Sequence, residues 1–112
     1  MQTQLHLIEQ ILSDKKATDI VLFDFKEGHF IHDYMILASA NNPRLLHALS
    51  DYLLEAFEMN TIPIHHQEGT PESGWILIDL PRIVIHLFLE EMRTYYQLDI
   101  LWADKKVELY VD

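Results

Sequence analysis

The sequence predicts a single mixed α/β domain, a mixed five-stranded sheet flanked by helices. Three observations carry that expectation. Helix-like and strand-like segments follow one another without a linker, in the order helix, strand, strand, helix, three strands, helix, as in a layered core. Asn42 before Pro43 is a helix start, an N-cap with proline at the first helical position. The run GWILIDLPRIVIHLFLEEMRTYYQLDILW, residues 74–102, holds two almost wholly apolar strand-like segments joined at Pro81-Arg82.

The elements follow in order. Residues 4–13 carry Leu5, Leu7, Ile8, Ile11 and Leu12 as an approximate helical stripe, with Thr3 as its N-cap. Asp19 to Phe25 is rich in β-formers and ends in the polar turn Lys26-Glu27-Gly28. Tyr34 to Ala38 is a second short strand. From Pro43 onward, Leu45, Leu49, Tyr52, Leu53, Ala56 and Phe57 recur at helical spacing. Ile62 to Gln67 is expected at a sheet edge, because Pro63 cannot donate to a ladder. EGTPESG, residues 68–74, has loop composition. Trp75–Leu80 and Ile83–Phe88 are strands, and Glu90 to about Gln97 is a short helix with Glu90 and Arg93 one turn apart. VELYV near the end either adds a short strand or remains a tail.

Composition narrows the function. At 112 residues, with 49% apolar and 11% aromatic content, the chain can form one core without metal or disulfide. It has no cysteine, hence no thiolate nucleophile and no cysteine zinc site. The opening MQTQLHLIEQILSDKK has no basic leader followed by a long apolar stretch, so no signal peptide is expected. Nor is a membrane span expected, and the reading is a soluble cytoplasmic protein. Eighteen acids against eight bases give a net charge of -10, which opposes binding to a phosphate backbone. The same charge would steer the chain toward a basic protein.

Four segments, in order and at similar spacing, give the chain its resemblance to the Iojap-like ribosomal silencing factors. They are DKKATDIVLFDF, HDYMILASA, the hairpin GWILID with IVIHLF, and EEMRTYYQLDILW. The resemblance implies a nucleotidyltransferase-like core that is not an enzyme. It implies binding to a large-subunit ribosomal protein, number fourteen in that series, on the face that meets the small subunit. Occupying that face would block subunit joining and repress translation. Two departures stand out. Ser39-Ala40 replaces the family's usual Ser-Gly, and Pro81-Arg82 replaces its Gly-Asp hairpin turn. Proline cannot take the positive φ of a primed turn, so this turn is expected to differ in geometry, and Arg82 reverses a charge beside the docking strand.

The candidate sites follow from strand parity. With a two-residue turn at Pro81-Arg82, Asp79 faces Val84 and His86 faces Leu77, which leaves Asp79 diagonal to His86. That predicts a polar pair in which the carboxylate favours a protonated imidazole, either ordering a docking face or simply satisfying itself on the sheet. Trp75, Leu77 and Asp79 share that face and, with Leu80, Arg82 and Glu68, form the expected partner-binding set. Glu72 is a further rim acid. Trp75 reads equally as a core residue or a binding anchor. Trp102, with Leu98 and Leu101, reads as core closure, with rim contact as the alternative.

No metal or cofactor is expected. His65 and His66 would point to opposite faces of a regular strand, and His29, His32 and Asp33 lack a convincing third ligand. Gly28, Gly69 and Gly74 build no phosphate loop, Asp24 stands alone on its strand, and no serine sits in a nucleophile elbow. The function expected is steric and stoichiometric, with a homodimer when free. The alternatives are an acidic adaptor for another protein and a nucleotide-binding relative of nucleotidyltransferases.

Overall fold

Alternation along the strands sorts the large apolar residues onto two faces of one sheet, and different helices cover each face. The structure, a computed structural model, describes residues 2–28 and 31–110. In chain order the elements are α1 (Gln2–Asp14), β1 (Thr18–Asp24), β2 (Tyr34–Ala40), α2 (Pro43–Met59), β3 (His66–Thr70) and β4 (Trp75–Asp79). They continue with β5 (Ile83–Leu89), α3 (Glu90–Tyr96), α4 (Leu98–Leu101), a 3-10 turn at Ala103–Lys105 and β6 (Lys106–Val107). The sheet order is β3-β4-β5-β2-β1-β6. The central pair β2 and β5 is parallel, and every other pair is antiparallel.

The sheet therefore has six strands where five were expected. Lys106 and Val107 pair with Phe23 and Leu22 at the edge of β1, so Val107 of VELYV joins the ladder, while Val111 lies outside the described residues. The mixed α/β architecture stands.

On one face, Leu5, Ile8 and Leu12 of α1 and Leu46, Leu49, Leu53 and Phe57 of α2 pack onto Ile36, Ile78, Ile83, Ile85 and Leu87. Asn42 caps α2 as its sequence requires: its backbone is extended and its Oδ1 accepts the Leu45 N–H at 2.8 Å. Leu46 and not Leu45 is fully buried, and Tyr52 is 43% exposed, so the buried stripe is rotated from the expected one. α1 already begins at Gln2, which leaves Thr3 inside the helix and not at its cap.

On the other face, Phe23, Phe25, Met35, Leu37 and Phe88 are covered by Met92, Leu98 and Trp102. β2 lies under both layers, and all seven of its residues are buried. The second layer is held down by Arg93, only 8% exposed, whose partner is Asp99 and not the neighbouring Glu90. Its guanidinium donates to Asp99 at 2.9 and 2.8 Å, to the Ser39 hydroxyl at 2.9 Å and to the Asp19 carbonyl. The guanidinium also holds the Asp99 carboxyl below the usual carboxylate range. Gln97 takes a left-handed conformation, φ 55°, and breaks the helix so that α4 can turn back toward that contact.

β3 begins later than expected. Ile62 and Ile64 are part-buried against the first core, and the Ile62 N–H closes onto the Phe57 carbonyl at 2.8 Å. The strand takes Glu68, Gly69 and Thr70 from the segment with loop composition, and Thr70 and Ser73 bond across the following turn. Gly69 is what makes this possible. Its φ is +89°, and a Cβ there would lie 2.0 Å from the Trp75 carbonyl oxygen. At the other turn, the Leu80 N–H donates to the Ile83 carbonyl at 2.9 Å, and neither Pro81 nor Arg82 takes a positive φ.

Two stability outcomes follow. Gly69→Ala should cost at least about 2 kcal/mol in urea unfolding, through backbone strain and the clash with Trp75. Arg93→Met should cost about 2–3 kcal/mol, somewhat less than breaking a fully buried ion pair because Asp99 keeps contact with water.

Candidate functional site

α3 and α4 cover the second face over β1, β2 and the Phe88 end of β5, and the same face stays open over β3, β4 and the rest of β5. Pairing lays three rows across β3, β4 and β5: Thr70, Trp75 and Phe88, the last buried under the helices; Glu68, Leu77 and His86; His66, Asp79 and Val84. The register is the one the two-residue turn requires, with Asp79 opposite Val84 and His86 opposite Leu77. Trp75, Leu77, Asp79, Val84 and His86 are all part-buried, while β3 is exposed throughout.

The expected Asp79–His86 pair does not form. Asp79 instead accepts from the His32 ring, which arrives from the segment before β2. His86 Nδ1 accepts the Trp75 indole N–H at 3.0 Å, which places the proton of the neutral ring on Nε2. Burial pushes the His86 pKa down to about 4, and the neighbouring His32 acts in the same direction. The imidazole is thus neutral at physiological pH, the reverse of the expected protonated ring. The reason is distance along the chain: His32 lies 47 residues from Asp79, and strand parity carries no information about it.

The rings continue as a row. Trp75 stacks on His86 with centroids 6.1 Å apart, His86 on Phe88 at 5.9 Å, and Phe88 meets Tyr96 of α3 at 5.5 Å. Trp75, His86, Phe88, Tyr96 and Leu98 line an apolar socket of about 190 Å³ between the sheet and the helices. Trp75 is therefore both a packing residue and a wall of the open surface. Tyr96 was not singled out from the sequence, where it was one of two adjacent tyrosines on a short helix.

The other expected contacts divide. Leu80 is fully buried with Ile76 and Ile78 under α1 and α2, so it lies on the wrong face to touch a partner. Arg82 is on the rim, 65% exposed, with Nη2 2.5 Å from Asp33 Oδ2. Glu68 is exposed beside Leu77 and binds the His66 ring at 2.7 Å, and Glu72 is exposed in the β3–β4 turn. Leu98 and Trp102 close the second core as expected, but Leu101 is 62% exposed.

Among the described residues no group of three or more His, Asp or Glu side chains is placed to hold a metal ion, and His29 lies outside them. Asp24 is engaged with Lys26, accepting its backbone N–H at 2.9 Å. No helix is long and apolar enough to cross a membrane.

His86 gives a pH dependence of defined sign. Its folded pKa is below the unfolded value, so the unfolded chain takes up the proton first and stability falls as pH drops from about 6.5 toward 4. The contribution is at most on the order of 3 kcal/mol. His86→Phe should flatten that part of the curve when urea midpoints are compared at pH 7.5 and 5.

The sequence profile described as ribosomal silencing factor during starvation matches residues 1–111. A Bacillus subtilis protein named Ribosomal silencing factor RsfS is 32% identical over 81% of this chain and 77% of its own length. A mouse protein named Mitochondrial assembly of ribosomal large subunit protein 1 is 29% identical over 88% of this chain and 45% of its own length. A crystal structure from Bacillus halodurans superposes with a TM-score of 0.85 at 31% identity, covering 97% of this chain and all of that one. A Chromobacterium violaceum crystal structure gives 0.85 at 27% identity, with 99% and 92% covered. With a matching sequence pattern and a matching fold, the chain belongs to the ribosomal silencing factor family.

Proposed function

We propose that this chain represses translation by binding the large ribosomal subunit through the open face of β3, β4 and β5. Its target there would be the ribosomal protein numbered fourteen, on the surface that meets the small subunit. Bound at that place, the domain is a steric block to subunit joining, and no chemical step is required.

The observation that carries this reading is the unequal cover of the sheet. Trp75, Leu77 and the socket beside them form an apolar surface on a fixed scaffold, rimmed by Glu68 and Glu72. A ready-formed surface of this kind binds without a large ordering cost. The net charge of -10 favours encounter with a basic ribosomal protein and opposes contact with ribosomal RNA. Free of the subunit, the same apolar face would pair weakly with a second copy. The site of action is the cytoplasm, with the ribosomes.

Co-sedimentation with isolated subunits tests the reading. The chain should pellet with large subunits and not small ones, and more weakly as salt rises. Leu77→Ser leaves both cores untouched and should weaken binding roughly tenfold or more; Trp75→Ala should cost about 2 kcal/mol or more of affinity. Binding that neither change affects would remove the open face from the mechanism.

A further inference from the structure

The corner formed by α3 and α4 exposes more apolar surface than its packing explains. Tyr95 is 71% exposed, Tyr96 52%, Ile100 72% and Leu101 62%. Single exposed apolar residues are common, but four within seven residues of a strongly acidic chain mark a surface that something covers. Helical spacing explains why they face outward. Leu98 and Trp102, one turn apart, take the inward side of α4 and pack on the second core, leaving Ile100 and Leu101 on the outer side.

We infer that Tyr95, Tyr96, Ile100 and Leu101 form a second docking ridge, which contacts a basic protein surface of the large subunit beside the one held by the open sheet face. The inference rests on the proposed binding to that subunit and extends it to residues outside the sheet. Continuity supports it: Tyr96 lines the socket with Trp75 and Phe88 and also stacks on Tyr95, with centroids 5.3 Å apart, so the two surfaces meet at one side chain.

Charge selects the occupant. Glu90, Glu91, Asp104 and Glu108 are exposed around the corner, against Lys106 and the part-buried Lys105. Such a rim suits a cationic protein. It disfavours nucleic acid, and a second copy that carries the same net charge of -10 is a weaker occupant than a cationic protein, here as on the sheet face. The ridge is also pre-organised, because the bonds of Arg93 to Asp99, Ser39 and Asp19 fix α3 and α4 to the sheet.

The test is the double variant Ile100→Ser/Leu101→Ser, at two exposed positions whose loss leaves both cores intact. Met59→Ser is the control, an exposed residue at the end of α2. The double variant should melt within a few degrees of the parent and bind isolated large subunits at least tenfold more weakly, and the control should bind like the parent. Parental binding by the double variant overturns the ridge and leaves the open-face reading standing. Failure of the parent chain to bind large subunits overturns both. Two further results would refute the choice of occupant: binding to protein-free ribosomal RNA that the double variant weakens, or a parental dimer in gel filtration that the double variant dissolves.

Discussion

A six-stranded sheet has two faces to keep from water, and 112 residues do not supply enough helix to cover both. α1 and α2 together bury one face, with seven of their apolar side chains fully enclosed. The much shorter α3 and α4 reach only β1, β2 and the Phe88 end of β5 on the other. Every notable feature of the molecule follows from that shortfall. β2 is buried throughout because it lies where the two layers overlap, whereas β3 is exposed because neither layer extends to it.

Leaving half a face open has an energetic consequence that the aromatic row limits. Trp75, His86, Phe88 and Tyr96 pack on one another, so much of the uncovered surface is shielded by its own side chains. The histidine serves this arrangement only while neutral, since it must accept the indole proton, and burial keeps it so. Asp79, which could have charged it, is occupied by His32. The result is a surface apolar at its centre and polar at its margin, the ordering found in protein interfaces.

Arg93 has the corresponding role for the helices. One guanidinium joins the end of the chain to β1 and β2, turning a seven-residue and a four-residue helix, neither stable alone, into a fixed wall. A wall held in this way can present apolar side chains to a partner without first having to order them. The acidic surroundings then act on the rate and selectivity of encounter more than on its final strength.

Much of this was legible in the residues. Period-two alternation and the spacing across Pro81-Arg82 set the register of β4 and β5 and put Trp75, Leu77 and Asp79 on one face, because pairing through a short turn is a local constraint. Asn42-Pro43 set the start of α2 for the same reason. Strand parity also places Leu80 with Ile76 and Ile78, on the face opposite Trp75, Leu77 and Asp79. The tertiary structure alone decided the rest. It showed which face the helices cover, that His32 captures Asp79, that Arg93 bonds to Asp99, and that Gly69 lets a loop-like segment become an edge strand. Each of these depends on groups brought together from distant parts of the chain or on a backbone conformation set by a neighbouring strand. Local propensity carries neither, and the sixth strand, two residues long, is the limiting case: its pairing exists only because β1 offers an edge there.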